Sequence, residues 1–355
     1  MNKSIRDKVR ELWKLCFNDS EAFIEMYFQM RYNSDINIAI ESGEEVIAAL
    51  QMLPYPMTLF GNVIQTAYIS GACTHPDYRN RGAMRELLTQ AFSQMYRRDK
   101  ALTTLIPAEP WLFDYYARMG YATVFYYGKR TFRISTNEAE NASETPDLKL
   151  LNENAFYKSK IITTYDEAAY QYLNQKLHQR PSCIQHTSTD FHVILSDLQL
   201  GNGRIFTLTY RQKIVALAVA YPDTDPFTLQ IGELLADNSE AEQRLLNRIC
   251  RETKATTLNI TTPPSREEAY PLGMARIIHP KTILQLYAST HPGIEMNIAL
   301  TDEQLSANNG YYYLNNGRCM FSQQRLPGPH RSFSIAELTK RILTTEHPYM
   351  SLMLN

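Results

Sequence analysis

The chain has 355 residues and a formal net charge of −1, with 36 lysine and arginine residues against 37 aspartate and glutamate residues. This balance creates no overall field that would attract nucleic acid or an anionic membrane surface. The length predicts two or three domains, and a hydrophobic fraction of 44% supplies enough apolar material for globular cores.

The cysteines and histidines indicate neither a metal site nor a disulfide framework. The five cysteines lie far apart without C-x-x-C pairing, and the eight histidines lack the spacing of metal ligands. The N-terminus is charged and amphipathic, unlike a signal peptide, and no apolar run approaches the roughly 20 residues that span a bilayer. We therefore expect a cytoplasmic protein that holds no metal and binds neither membranes nor nucleic acid.

In chain order, the first elements are two helices within residues 4–32, followed by a meander of antiparallel strands. Asn18-Asp19-Ser20 offers N-cap residues for the second helix. Residues 67–74 then alternate between two faces, which predicts a strand. After Gly82 the apolar residues fall at helical spacing, so the chain changes from strand to helix across a short loop.

The turn before this helix predicts an anion site. A helix that begins at Gly82 presents unpaired N–H groups and the positive end of its dipole. Gly82 has no Cβ, so a ligand can approach the backbone closely. Arg79 and Arg81 add charge and forked donors suited to phosphate. The alternative interpretation is a surface turn with solvated arginines.

The same residues resemble a known motif. Residues 79–84 are similar to the pattern [RQ]-x-x-G-x-[GA] that binds acyl-CoA in the GNAT superfamily of N-acetyltransferases, although Met84 replaces the usual small residue. RGAMREL, residues 81–87, resembles the R-G-L-L-R run of the Eis (enhanced intracellular survival) family, and YYARMGY, residues 115–121, resembles its I-Y-G-R-F-G-Y. The resemblance implies that CoA phosphates are bound by the turn and the first helical turn, at Arg79, Asn80, Arg81, Gly82, Ala83, Met84 and Arg85.

The resemblance extends over nearly the whole chain and implies an α/β (α+β) protein of three units. These are a catalytic GNAT domain at residues 1–133, a degenerate GNAT-like domain at 149–273 and a short sterol-carrier-like α+β domain at 274–355. The polar residues 134–148 read as a linker. In the second unit Asp237-Asn238-Ser239-Glu240 stands before the helix, where the first unit has Arg-x-x-Gly. Because its acidic side chains would repel phosphates, we expect no cofactor there.

Spacing predicts several elements of the later units. Helical spacing covers residues 155–177, and residues 193–196 read as a strand. A strand over 274–278 is expected to open the third unit. Asn315-Asn316-Gly317 is a strong signal for a hairpin turn.

Acetyl transfer from a thioester to an amine requires a deprotonated amine, a thioester within reach and a proton for the departing thiolate. The resemblance implies that main-chain N–H groups near Ala72, Cys73 and Thr74 hold the pantetheine arm of acetyl-CoA. Cys73 itself reads as a packing residue, because no activating base is apparent. Tyr116 matches the family's catalytic tyrosine and is the candidate general acid, since a phenol with a pKa near ~10 is protonated at neutral pH. Tyr115 faces elsewhere on its helix.

Two candidates for the base remain open. In the Eis family the terminal carboxylate of the chain enters the first domain's site, which here would be that of Asn355. Glu109 is the competitor, either as a base working through water or as a ligand for a cationic amine.

The resemblance also implies a small acceptor amine of the aminoglycoside or polyamine type and a homo-oligomer. The other function class is a non-catalytic CoA- or lipid-binding protein. Such a protein would need the phosphate site but not the tyrosine.

Overall fold

The computed structural model describes residues 3–134 and 156–354, and its strands form two sheets. The N-terminal strands are β1 (Asn37–Ser42), β2 (Glu45–Leu59), β3 (Asn62–Thr74), β4 (Leu102–Leu105) and β5 (Ala122–Arg133). The middle strands are β6 (Tyr157–Ile162), β7 (Cys183–Ile184), β8 (Arg204–Tyr210), β9 (Lys213–Pro222), β10 (Thr228–Ala236), β11 (Thr257–Thr262) and β12 (Tyr270–Ile277). The last are β13 (Met296–Thr301), β14 (Gly310–Asn315), β15 (Arg318–Ser322) and β16 (Arg331–Ser334).

Most of the described helices begin at a residue whose side chain accepts a hydrogen bond from the first turn. They are α1 (Ile5–Cys16), α2 (Glu21–Met30), α3 (Ala83–Arg97), α4 (Pro110–Ala117), α5 (Glu167–His178), α6 (Ser188–Leu200), α7 (Ser239–Thr253), α8 (Pro280–Thr290) and α9 (Ile335–Leu343). The Ser20 hydroxyl accepts a hydrogen bond from the main-chain N–H of Phe23, which confirms the predicted cap of α2. No helix of the described part is both long and apolar enough to cross a bilayer.

The larger sheet is continuous and mixed, which confirms the predicted α/β class. Its strands lie in the order β1-β2-β3-β4-β12-β5-β11-β10-β9-β8-β6, and β7 pairs with β2. The smaller sheet has the order β15-β14-β13-β16. Two repeats of antiparallel strands, a central strand, a helix and a parallel strand therefore share one sheet.

The two repeats exchange a strand. β12 follows the second repeat in sequence, yet it lies between β4 and β5, where Met274–Ile277 pairs antiparallel with Leu102–Leu105. β5 follows the first repeat and continues beyond β12 to pair antiparallel with β11. Because each repeat completes its sheet with a strand of the other, main-chain hydrogen bonds join them directly.

Two predicted elements of the second repeat are wrong. Residues 193–196 lie within α6, which begins at a capping box formed by Thr187 and Asp190. The apolar run there is buried, and a short apolar run fits a buried helix as well as a strand. The helix predicted over 155–177 is wrong in its first part, where Tyr157–Ile162 form the strand β6. Helix α5 begins only after Asp166, whose side chain caps it.

The boundaries of the units also differ from the sequence expectation in one respect. The strand predicted over 274–278 is β12, and it belongs to the larger sheet rather than to the third unit. The linker expected over 134–148 lies outside the described residues apart from Ile134.

The third unit places its two helices between the two sheets. Leu284 of α8 and Leu338 of α9 belong to one buried cluster with Leu102 of the larger sheet and Leu300 of the smaller one. The predicted hairpin is confirmed, because β14 and β15 pair around a turn at residues 316 and 317, both with positive φ.

Arg276 joins the exchanged strand to the third unit. Its side chain is fully buried, and its Nη2 atom donates to Oδ1 of the equally buried Asp302 at 2.6 Å. Its Nε atom donates to the main-chain carbonyl of Met119 at 3.0 Å. Asp302 also accepts hydrogen bonds from the Asn308 side chain and the main-chain N–H of Leu305, so the buried carboxylate is well satisfied.

We expect Asp302→Ala to lower the free energy of unfolding by about 3–5 kcal/mol, because it leaves an uncompensated buried cation. Chemical denaturation measures the difference from the parent protein. Glu11→Ala, which breaks the exposed pair between Lys3 and Glu11, is the control and should leave the unfolding midpoint nearly unchanged. Equal effects of the two substitutions would contradict the structural role of the buried pair.

Candidate active site

The candidate site begins where two parallel strands separate. β3 pairs with β4 only from Thr66 to Tyr68, opposite Leu102 to Thr104. β3 then continues to Thr74, paired on its other edge with β2. The edge of residues 69–74 that faced β4 is thus open, and it includes the predicted pantetheine-binding residues Ala72, Cys73 and Thr74.

A bulge at Gly71 shapes this open edge. The pairing of β2 with β3 shifts register between Ala49 and Gln51, next to Gly71, whose φ is +59°. A Cβ on Gly71 would lie 2.1 Å from the Trp13 ring, so only glycine allows α1 to pack this closely. The Trp13 indole N–H donates to Asp19 at 2.7 Å, which fixes the ring over the bulge.

The loop after β3 ends at an open helix N-terminus. Gly82 is the N-cap of α3, with φ +85°, and no side chain accepts a hydrogen bond from the first turn. Apart from Gly82 and its two chain neighbours, no atom of residues 3–134 and 156–354 lies within 4 Å of the position that a Cβ on Gly82 would take. The predicted anion site is therefore sterically free, and its main-chain donors are not satisfied by a cap.

The other residues of the predicted phosphate site lie around this N-terminus. Arg79, Asn80, Arg81 and Arg85 are exposed, whereas Ala83 and Met84 are half-buried. Arg79 folds back toward β3, where its Nε atom donates to the Thr74 carbonyl at 3.2 Å. The Arg81 guanidinium stands 5.4 Å above the ring of Tyr78. The structure thus brings the whole predicted set to one end of β3.

Tyr116 lies on α4 beside the open edge. It is buried, with 7% of its surface exposed. Burial raises its pKa above the usual value for tyrosine, and the neighbouring Tyr115 and Cys73 raise it further. The phenol therefore stays protonated, which is the state that a general acid needs.

A cluster of buried tyrosines, missed by the sequence analysis, continues from Tyr116 to α2. Burial raises the pKa of Tyr68, and Tyr55, Tyr27 and Tyr116 all lie near enough to raise it further. The Tyr27 hydroxyl donates to Ser70 Oγ at 2.9 Å. The strand alternation predicts that Tyr68 and Ser70 share one face, but it does not indicate that this face packs against the tyrosines of α2 and β2.

A buried ion pair connects this tyrosine cluster to the second repeat. The Arg31 Nη1 atom lies 2.5 Å from Asp190 Oδ1, and both side chains are less than a tenth exposed. The Arg31 Nη2 atom donates to the Tyr55 hydroxyl at 2.6 Å. Because the partners are 159 residues apart, no local sequence signal could have paired them.

The end of the described chain is bound to the second repeat. The Tyr349 hydroxyl donates to Glu233 at 2.9 Å, and the Ser351 hydroxyl donates to the same carboxylate. The Ser351 carbonyl lies 3.0 Å from His186 Nε2. These contacts hold residues 349–351 in one place.

Beyond Ser351 the chain reaches the first unit. Leu354 is buried in the same cluster as Trp13, Tyr27 and Cys73. Asn355, the candidate source of the basic carboxylate, lies outside the described residues and directly follows Leu354 in the sequence.

Glu109 is placed less favourably for proton transfer. It is exposed at the N-terminus of α4, and its side chain does not cap the helix. Tyr116 lies seven residues further along the same helix, which corresponds to about 10 Å of helical rise. The structure therefore does not bring Glu109 and Tyr116 together.

We expect Gly71→Ala to lower the free energy of unfolding by about 2–4 kcal/mol, because it adds backbone strain at positive φ to overpacking against Trp13. Gly61→Ala is the matched control, since Gly61 has φ +69° and open space around it. Chemical denaturation of both variants separates the clash from the strain. In a Trp13→Phe background the cost of Gly71→Ala should fall, and an unchanged cost would contradict the packing account.

Residues 1–124 match a family model described as an acetyltransferase (GNAT) domain. A search of curated protein sequences finds no significant match.

Several solved structures share the fold of the whole chain. A GCN5-related N-acetyltransferase from Anabaena variabilis has a TM-score of 0.72 at 14% identity, covering 99% of this chain and 98% of that one. One from Kribbella flavida has a TM-score of 0.70 at 17% identity, with 98% and 95% covered. Eis1 from Mycobacterium abscessus has a TM-score of 0.70 at 12% identity, with 95% and 87% covered. Residues 1–124 thus match the model of an acetyltransferase (GNAT) domain, and the chain as a whole shares the fold of these solved structures.

Proposed function

We propose that this protein transfers an acetyl group from acetyl-CoA directly to an amino group of a small amine. One observation carries the proposal: the open edge of β3 at residues 69–74 leads into the uncapped N-terminus of α3, with Tyr116 beside it. Free strand donors suit an extended amide-containing arm, and free helix donors suit its phosphates.

The residues around the open edge fit acetyl-CoA. The main chain at Ala72, Cys73 and Thr74 would hold the pantetheine arm. The N–H groups of residues 82–85 would hold the pyrophosphate, with added charge from the arginines around them. When bound, acetyl-CoA would supply the activated thioester carbonyl.

The acceptor amine is proposed to enter among the buried tyrosines. The faces of Tyr27, Tyr55 and Tyr68 can stabilise an ammonium group by about 0.5–2 kcal/mol before it loses its proton. Arg31 would oppose a cation, but its charge is paired with Asp190. These features support a small cationic amine of the polyamine or aminoglycoside type.

The proposed proton transfers use Tyr116 and the carboxylate of Asn355. Tyr116 would give its phenolic proton to the departing thiolate, because burial keeps the phenol neutral. The position of Leu354 near Tyr27 and Cys73 supports Asn355 as the base that takes the proton from the amine. Glu109, exposed at the start of α4, is assigned to attracting the cationic amine.

Direct transfer is favoured over an acetylated enzyme. Cys73 is buried, and its hydrogen bond with Cys16 together with burial raises its pKa well above the usual value. A thiol that stays protonated is a poor nucleophile. The homo-oligomer and the cytoplasmic location stay predictions from the sequence.

We expect Tyr116→Phe to lower kcat about a hundredfold while the Kd for CoA stays within twofold, because the phenol acts only in proton transfer. A thiol-release assay with a panel of amines measures turnover, and calorimetry measures CoA binding. Tyr115→Phe is the matched control and should keep full turnover. Unchanged turnover of Tyr116→Phe would remove the tyrosine from the mechanism. CoA binding by the parent protein without turnover of any amine would favour a non-catalytic CoA-binding protein.

We expect four residues added after Asn355 to lower kcat at least tenfold, because each extended residue moves the carboxylate by about 3.3 Å. The same four residues added before Met1 are the control for the presence of a tag. Full activity of the C-terminally extended enzyme would rule out the terminal carboxylate and leave Glu109 as the base.

A further inference from the structure

Two cysteines from separate elements meet beside the open edge of β3. Cys16 is the last residue of α1, and Cys73 lies near the end of β3. Cys16 packs against the buried cluster that contains Cys73, and the two thiols lie close enough for each to shift the pKa of the other. The Cys16 thiol also lies 3.4 Å from the Thr74 carbonyl, the acceptor that Arg79 contacts as well.

The two thiols differ in character. Cys16 is half-buried, and its pKa is lowered to about 7 by the hydrogen bond from Cys73 and by the nearby Arg79 guanidinium. Cys73 is buried and keeps its proton. Cys16 is thus the reactive thiolate, and Cys73 is placed to react with its oxidised form.

The other cysteines provide an internal contrast. Cys183, Cys250 and Cys319 are buried, and burial raises the pKa of each thiol. Within the described ranges these three cysteines lie in separate buried clusters, none of which contains Cys73. Because their thiols stay protonated, we expect them to react slowly with peroxide and to serve as the reference for Cys16.

We propose that Cys16 and Cys73 are a thiol–disulfide site that hydrogen peroxide or a related hydroperoxide oxidises, tying the end of α1 to β3. The Cys16 thiolate attacks a peroxide oxygen and becomes a sulfenic acid, with release of hydroxide. The Cys73 thiol then attacks that sulfur, forms the S–S bond and releases water. Two electrons pass from the thiols to the peroxide, and a dithiol reductant reverses the change.

We expect the disulfide to weaken CoA binding, an effect that rests on the proposed CoA site. The S–S bond of about 2.05 Å leaves Cys16 without the S–H group that donates to the Thr74 carbonyl, so that hydrogen bond is lost. Thr74 belongs to the stretch proposed to hold the pantetheine arm, and α1 also carries Trp13 over the Gly71 bulge. Oxidation should therefore weaken CoA binding at least fivefold.

The test uses the full-length protein, reduced, desalted and exposed to hydrogen peroxide. Alkylation followed by mass spectrometry should show two of the five thiols lost, an intact mass lower by two hydrogens and a peptide crosslink between Cys16 and Cys73. The rate should rise about tenfold from pH 6 to pH 8 as Cys16 loses its proton. Cys16→Ser should form no crosslink, and Cys250→Ser should behave as the parent protein.

Two results would overturn the site: five intact thiols after peroxide, or oxidation of Cys16 to sulfinic acid without a crosslink. If Cys73→Ser proves unstable, Cys16→Ser and Cys16→Ala still decide the question. CoA titration of the reduced and oxidised protein then tests the consequence. A crosslinked protein whose reduced form binds no CoA would refute the proposed function and leave the disulfide site standing.

Discussion

The separation of β3 from β4 after Tyr68 is the constraint on which the rest of the site depends. Main-chain donors stay available beyond that point only because β4 ends at Leu105 and Gly71 bulges under Trp13. Buried main-chain groups that lack partners are costly, so an open strand edge in a folded protein marks a place where a ligand or water completes the hydrogen bonds. The helix that starts at Gly82 extends the same free donors toward solvent.

The second repeat has a similar arrangement of strands and helix, but its helix N-terminus is capped and acidic. β10 pairs with β11 only as far as Ile231 and then continues past a register shift at Gly232, as β3 does at Gly71. There, however, the Asn238 side chain caps the following helix, whose first turn carries Glu240 and Glu242. The chain's own end also contacts Glu233 on that strand. The repeat thus binds residues 349–351, and the chain beyond them reaches the first unit at Leu354.

The sequence indicated the parts of the site that are local, and it could not indicate those that depend on distant pairing. The strand, the loop and the helix after Gly82 follow from alternation, glycine and helical spacing within one stretch. The exchange of β5 and β12, the Arg31–Asp190 pair and the contact between Cys16 and Cys73 join residues far apart, and no periodicity encodes them. The prediction of a strand at 193–196 was wrong because a short buried apolar run fits a helix as well as a strand.

The most direct test of the account is calorimetric titration of CoA into Gly82→Ala beside Gly61→Ala. Both glycines have positive φ and open surroundings, so both substitutions carry the same backbone strain, about 1 kcal/mol. If main-chain groups at the start of α3 bind the CoA phosphates, Gly82→Ala weakens CoA binding at least fivefold while Gly61→Ala binds as the parent protein does. Equal affinities in the two variants, or no heat of binding with the parent protein, would contradict it.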